Sequence, residues 1–103
     1  MSKLPHYLRS ERRRAGLSQK DVAALLGLHS VSQISRYEQF RRSPPLKVVL
    51  TYEVIFGKPV SRIFEGTFVE VQKTVVQRAQ RLFEAGSING RHREESLKRI
   101  LAA

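Results

Sequence analysis

At 103 residues, the chain has the size of one ordinary domain, and it is too short for a second full domain beside the first. It has no cysteine, and His6, His29 and His92 are far apart in sequence, so we expect neither a disulfide framework nor a metal site, and no other cofactor is indicated. Nineteen Lys and Arg residues against nine Asp and Glu residues give a formal net charge of +10, which indicates a polyanionic partner.

The chain begins with the pattern of a short helix. We predict a first helix from about Pro5 to Ala15, with Leu4 and Leu8 facing inward, that stops at Gly16. Most other glycines also lie where a helix is expected to end. The pattern as a whole therefore predicts a series of helices rather than strands.

Serine caps mark the next two helices. Ser18, with Asp21 three residues later, predicts the start of a second helix that ends before Gly27. Ser30 and Gln33 form a similar pair, and they predict a third helix that starts near Ser30.

Prolines mark the fourth and fifth helices. The run Ser43-Pro44-Pro45 is suited to a helix start, and the fourth helix is predicted to run from Leu46 to Phe56, with a strand as the competing assignment because the segment is rich in Val and Thr. Pro59 opens a short fifth helix from Val60 to Glu65, closed by Gly66.

The C-terminal third predicts two longer helices. Thr67 and Glu70 form a capping pair that opens a sixth helix of about eighteen residues, ending at Gly86. Its broad apolar stripe consists of Phe68, Val71, Val75, Ala79 and Leu82, with Val69, Val76 and Phe83 beside them. The last helix is predicted from about His92 to Leu101, and it places Leu97, Ile100 and Leu101 together.

Three segments together carry a family resemblance: LSQKDVAALLGL at 17–28, ISRYE at 34–38 and RRSP at 41–44. They closely resemble the XRE family, the phage Cro and repressor-like helix-turn-helix proteins, over about residues 4–64. The resemblance implies an all-α fold, with a five-helix Cro/repressor-like helix-turn-helix domain that here precedes two C-terminal helices. It also implies binding to double-stranded DNA and transcriptional regulation, most simply as a repressor.

Helical geometry selects the DNA-facing side chains. If Ile34 and Tyr37 point into the core, a turn of about 100° per residue places a small, polar and cationic set on the opposite face. This predicted base-reading set is Ser32, Ser35, Arg36 and Gln39, with Val31 and Gln33 on the flanks. Short side chains allow close approach to the major groove, and Arg, Gln and Ser can bond base edges. An ordinary solvated helix face is the alternative.

Further roles follow from the resemblance. Gln19 matches a position that usually contacts a phosphate. We also assign Lys20, Arg41 and Arg42 to contacts with the DNA backbone. The alternative for the two arginines is that they are solvated loop charges. Arg12 and Glu38 match a pair that forms a structural ion pair between the first and third helices, although Arg12 could also contact a phosphate.

Two features depart from the family pattern. Most relatives have one residue fewer between the positions of Gly27 and Ile34, so the turn is longer here and the register of the recognition helix is open. Relatives usually have Asn-Gly where this chain has Gln39-Phe40. Because Phe40 is a poor left-handed cap, we expect the third helix to run further or end differently, with Phe40 against the fourth helix.

Other function classes have less support. We find no catalytic triad, paired carboxylates or phosphate loop, and the acidic residues lie mostly on predicted exposed faces, so we expect no enzyme. An antitoxin-like or adaptor module that binds protein through the same fold is the main alternative, while RNA binding lacks interleaved surface aromatics. No apolar run is as long as a membrane span, so we expect a cytoplasmic protein. No small-molecule ligand is evident from the sequence.

The two parts of the chain have different predicted tasks. We expect residues 1–66 to form the DNA-binding domain and residues 67–103 a helical segment for dimerisation. A five-helix core cannot cover the whole apolar stripe of the sixth helix, whereas a homodimer would cover it and present two recognition helices to half-sites roughly 34 Å apart. The alternative is a monomer whose C-terminal helices fold back on their own domain.

Overall fold

A computed structural model describes residues 7–86 and 90–103, and within these ranges the chain forms helices and no strands. The helices are α1 (Leu8–Arg14), α2 (Gln19–Leu25), α3 (Ser32–Glu38), α4 (Leu46–Phe56), α5 (Val60–Ile63), α6 (Glu65–Glu84) and α7 (Arg91–Leu101). The all-helical prediction is confirmed, and the competing strand at α4 is not observed. Pro5 and Leu4 of the predicted first helix lie outside the described residues, as does the predicted 87–89 connection.

The described residues divide into two compact units, one that ends at Gly66 and one from Thr67 to Ala103. In the first unit, α1 and α2 both pack against α3, and α4 packs against α5. Among the described residues, no helix combines the length and apolarity that a membrane crossing requires.

The core of the first unit takes at least one side chain from each of its helices. Its buried members are Leu8, Val22, Ala23, Ile34, Tyr37, Tyr52, Ile63 and Phe64. Full burial of one large apolar side chain is worth roughly 1.5–3 kcal/mol, so these contacts fix how the helices are arranged. Ala23 of α2, which packs against α3, is small and 3% exposed.

Helices α1, α2 and α3 end in the same hydrogen-bond pattern. In each, the N–H two residues past the C-cap donates to the carbonyl of the third-last helical residue: Leu17 to Arg12, Leu28 to Ala23 and Arg41 to Arg36, with N···O distances of 3.1, 2.8 and 2.9 Å. The pattern requires a left-handed residue just after the cap. Gly16 and Gly27 fill that position with φ of 74° and 76°.

The prediction for the end of the third helix is wrong. Phe40 occupies the left-handed position itself, with φ of 62°, and its side chain is 41% exposed. The helix therefore ends at Glu38 with Gln39 as its C-cap and does not run further. The two bonds that the turn makes, from Phe40 and Arg41 to Tyr37 and Arg36, offset the steric cost of a left-handed phenylalanine.

The predicted start of the third helix is also wrong. The helix begins at Ser32, and its N-cap residue Val31 makes no side-chain cap bond, although the N–H of Ser32 donates to Ser30 Oγ at 3.4 Å. Ser30 does not pair with Gln33 because its hydroxyl instead lies 2.8 Å from the hydroxyl of Ser32. The turn between α2 and α3 is therefore longer than predicted, and α3 begins two residues after Ser30.

The boundary between the fifth and sixth helices differs from the prediction as well. Helix α5 ends at Ile63, and the non-helical residue is Phe64, with φ −109° and ψ 43°. Helix α6 then begins at Glu65 and runs through Gly66, so the predicted Thr67–Glu70 cap does not open it. An acidic residue in the first turn suits the helix dipole, which favours a start at Glu65.

The second unit holds α7 and nearly all of α6. Ala79 of α6 and Leu97 of α7 are its buried residues, while Val76, Phe83, Ile100 and Leu101 are half-buried. Helix α7 begins at Arg91, one residue before the prediction. An exposed ion pair joins Glu94 to Lys98 along it, and the side chain of His92 lies 3.9 Å from that of Glu95.

Candidate nucleic-acid interface

Helix α3 is anchored on one side and open on the other. Ile34 and Tyr37 are 0% and 4% exposed, so both are fixed in the core as the sequence predicted. The opposite side presents Ser32, Arg36 and Gln39, which are exposed, whereas Ser35 is half-buried. Gln39 lies at the C-cap position rather than inside the helix.

The two predicted flank residues lie in different surroundings. Val31 is 39% exposed, directly before α3. Gln33 is half-buried, and its side-chain oxygen is buried with no hydrogen-bond partner among the described residues. Gln33 is thus less accessible to solvent than the flank position predicted from the sequence.

Exposed cations lie before and after α3 in the chain. Lys20 on α2 and Arg41 and Arg42 after α3 are all exposed. Glu38 is the only acidic residue between positions 22 and 52. Because Glu38 is 7% exposed and bound by a cation, the solvent-facing charge of this segment is positive throughout.

Arg12 is the cation that binds Glu38, as the resemblance implied. Its Nε and Nη2 donate to the two carboxylate oxygens at 2.6 and 3.1 Å, and the side chains are 11% and 3% exposed. The hydrogen bond to Glu38 raises the pKa of Arg12, with a further contribution from the Glu38 charge, and desolvation opposes both. A third bond, from Arg12 Nη1 to the carbonyl of Leu17 at 3.0 Å, also ties the pair to the chain before α2.

Gln19 joins the same network. Its side-chain Nε2 donates to Glu38 Oε1 at 3.2 Å, and the residue is half-buried. The sequence suggested a phosphate contact here and gave no signal for this bond, which depends on the proximity of the α2 start to the end of α3. Gln19 therefore fixes the approach of α2 to α3.

Helix α2 starts in a well-formed capping box. The N–H of Asp21 donates to Ser18 Oγ at 3.0 Å, and the N–H of Ser18 donates to Asp21 Oδ2 at 2.9 Å, as predicted. The backbone bond from Ser18, followed by its side-chain bond, lowers the pKa of Asp21. The cap fixes the first turn of α2, which carries Gln19 and Lys20.

A second charged cluster was missed by the sequence reasoning, which placed the acidic residues mostly on exposed faces. Glu11 of α1 is 9% exposed. Lys58 Nζ lies 2.9 Å from its carboxylate, and Arg14 Nη1 lies 3.3 Å from it. This cluster ties α1 to the loop after α4 and has no place in the α3 surface.

One comparison with known proteins identifies the first unit. A family model described as helix-turn-helix matches residues 8–63, more than half of the chain, from the first residue of α1 to the last of α5. No curated protein matches the chain, and neither does any solved structure.

Proposed function

The chain belongs to the XRE-type helix-turn-helix family, whose members are DNA-binding regulators, and from that membership we propose a sequence-specific regulator that binds double-stranded DNA and represses transcription. Helix α3 enters the major groove, and Ser32, Ser35, Arg36 and Gln39 read base edges. Val31 and Gln33 border the reading face.

The observation that carries the proposal is the charge of this surface. Exposed cations lie before and after α3 in the chain, while the only carboxylate between positions 22 and 52 is buried against Arg12. Residues 22–52 therefore present no exposed carboxylate to a duplex, and the exposed carboxylate of Asp21 beside Lys20 is engaged by the N–H of Ser18. Lys20, Arg41 and Arg42 hold the phosphates on either side of the groove, and Gln19 combines a phosphate contact with its bond to Glu38.

Salt dependence of binding tests the proposal. If about four to eight phosphates are neutralised, the logarithm of the affinity of the full chain for a duplex falls with the logarithm of salt concentration with a slope of roughly −4 to −7. Arg42→Ala should reduce the slope by about one, whereas Arg91→Ala, an exposed arginine of the second unit, should leave it unchanged. An affinity that does not change with salt concentration would exclude DNA as the partner.

A protein-interaction module on the same fold is the second candidate. Its support is an apolar row on α4, where Leu46, Leu50 and Val54 recur every four residues and are 73%, 50% and 82% exposed. Such a module would bind a protein partner tightly and show little salt-dependent affinity for any duplex. The titration that tests DNA binding therefore separates the two candidates.

We also propose that the protein acts as a homodimer through residues 67–103. Support comes from the apolar side chains that α6 leaves exposed in the single chain. Sedimentation of the full chain against a version that ends at Gly66 tests this, because only the full chain should dimerise. A full-length monomer at tens of micromolar would refute it.

A further inference from the structure

Helix α6 carries a row of apolar side chains that its own chain leaves exposed. Phe68, Val71, Val75 and Leu82 are 47%, 54%, 40% and 46% exposed. Their spacings of three, four and seven residues keep them within a band roughly 60° wide, which is the seam pattern of a helix that pairs with another helix. We call these four residues the α6 seam.

The α6 seam adjoins the side of α6 that is covered within its unit and does not coincide with it. Ala79 is buried, and Val76 and Phe83 are half-buried. At 100° per residue these three residues are centred roughly 80° around the helix from the seam. The seam therefore remains open after the second unit has formed its own contacts.

Polar residues border the seam on its other side. Glu70, Thr74, Arg78 and Arg81 follow this border, and a shallow groove is lined by Glu70, Val71, Thr74, Val75 and Arg78. Glu70 lies toward the start of the helix, while the two arginines lie beyond its middle. Within the described residues, Glu70 and Arg78 form no ion pair.

We propose that the α6 seam pairs with the same seam of a second copy in an antiparallel arrangement whose two-fold axis passes near Val75. This deepens the homodimer of the proposed function and rests on it. Seven residues separate Val75 from Phe68 on one side and from Leu82 on the other, so each Phe68 lies opposite the partner copy's leucine at that end.

The charge pattern selects antiparallel over parallel pairing. An antiparallel two-fold axis brings the same border of both helices together with their directions reversed. Glu70 lies five residues before Val75, while Arg78 and Arg81 lie three and six residues after it, so the carboxylate is within roughly 3 Å along the axis of a partner arginine. In a parallel pair, this border would instead face the opposite border of the partner helix, where Val76 and Phe83 are already half-buried, so Glu70 and Arg78 would gain no charged partner.

Disulfide cross-linking of the full chain tests the arrangement, since the chain has no cysteine of its own. In an antiparallel dimer, a mixture of Phe68→Cys and Leu82→Cys chains should cross-link to each other under mild oxidation, and neither variant should cross-link to itself. Self-linking of either variant without the mixed product would overturn the antiparallel pairing.

Charge reversal provides an independent readout by sedimentation. Glu70→Arg and Arg78→Glu should each weaken the dimer several-fold, and the double variant should recover most of the loss. Lys73→Glu, an exposed site on the far side of α6, is the matched control and should have no effect on dimerisation. Equal weakening by the control, or no recovery in the double variant, would contradict the proposal.

The outcomes separate this inference from the function on which it rests. A dimer that self-links at residue 68 refutes the antiparallel pairing and leaves the homodimer intact. A full-length monomer refutes both. Neither result changes the salt-dependent duplex titration, which tests DNA binding alone.

Discussion

Arg12 and Glu38 form a two-point ion pair that joins α1 to the last residue of α3, with Nε 2.6 Å from Oε2 and Nη2 3.1 Å from Oε1. The pair is almost fully removed from solvent. Since Gln19 also donates to Glu38, this one carboxylate connects the first three helices. It fixes where α3 sits, and hence where any side chain on its open face points.

Glu38→Gln should destabilise the protein by roughly 3 kcal/mol, because it leaves the buried Arg12 guanidinium without its counter-charge. The measurement is the free energy of unfolding from a urea titration. Glu94→Gln is the matched control, since it breaks the exposed pair with Lys98, whose side chains are 46% and 60% exposed, and it should cost less than about 0.5 kcal/mol. Similar losses of unfolding free energy in both variants would show that the buried Arg12–Glu38 pair contributes no more to stability than an exposed pair.

Phe40→Gly should stabilise the protein by up to about 1 kcal/mol, because glycine removes the steric strain at φ of 62°. Asn tolerates this conformation better than Phe, and a β-branched residue tolerates it worse. The urea midpoints should therefore rank Gly, Asn, Phe and Val from highest to lowest. Gly27→Ala is the control with opposite sign, since it places a side chain at φ of 76°. A lower midpoint for Phe40→Gly would mean that contacts of the phenylalanine ring outweigh its backbone strain.

Tyr52→Phe should leave stability at neutral pH unchanged or slightly raised. Tyr52 is 1% exposed, and its hydroxyl has no hydrogen-bond partner among the described residues, so its removal relieves a buried polar group. The ring, which stacks on Phe56 with centroids 5.6 Å apart, is retained. A loss of more than about 1 kcal/mol would show that the hydroxyl does have a partner.

The same residue predicts a dependence on alkaline pH. Burial raises the pKa of Tyr52 above its ordinary value of 10.0, with a smaller contribution from Glu38. The unfolded chain therefore loses this proton first, and the stability from Tyr52 is complete below pH 10.0 and declines as pH rises above it. Tyr52→Phe should have a shallower loss of unfolding free energy above that pH than the wild type. If the unfolding free energies of the wild type and Tyr52→Phe declined in parallel above that pH, the raised pKa of Tyr52 would be contradicted.

The sequence was sufficient for features that depend on local chemistry. The Ser18–Asp21 cap, the left-handed glycines at positions 16 and 27, and the inward positions of Ile34 and Tyr37 all follow from residue type and spacing. They are also what places α3 on the surface of the first unit. The family resemblance, which the match over residues 8–63 confirms, added the partner of Arg12.

Features that depend on tertiary context could not be predicted. Phe40 takes a conformation that its side chain disfavours because the chain must leave α3 at that point. Ser30 bonds to the hydroxyl and the N–H of Ser32 rather than pairing with Gln33, and Gly66 lies inside a helix that begins directly after the non-helical Phe64. The buried carboxylate of Glu11 depends on Lys58, which lies far along the sequence. The Glu11–Lys58 contact joins residues 47 positions apart, which no local pattern contains.

Arg36→Ala and Arg42→Ala should affect DNA binding in different ways. Arg36 lies on the open side of α3, where it can make a bidentate contact with a base edge, so its loss should cost roughly 1–3 kcal/mol on the specific duplex and relax the preference at one position. Arg42 lies in the loop after α3, and the proposed function assigns it to phosphate, which every sequence presents, so its loss should weaken all duplexes about equally. Selection of bound duplexes from a random pool first supplies the specific site, and titrations on that site and on single-mismatch duplexes then measure both variants. The profile of Arg42→Ala should run parallel to that of the wild type, while the profile of Arg36→Ala should flatten at one base pair only. Parallel profiles for both variants would show that Arg36 contacts the backbone and that base recognition belongs to other side chains of α3.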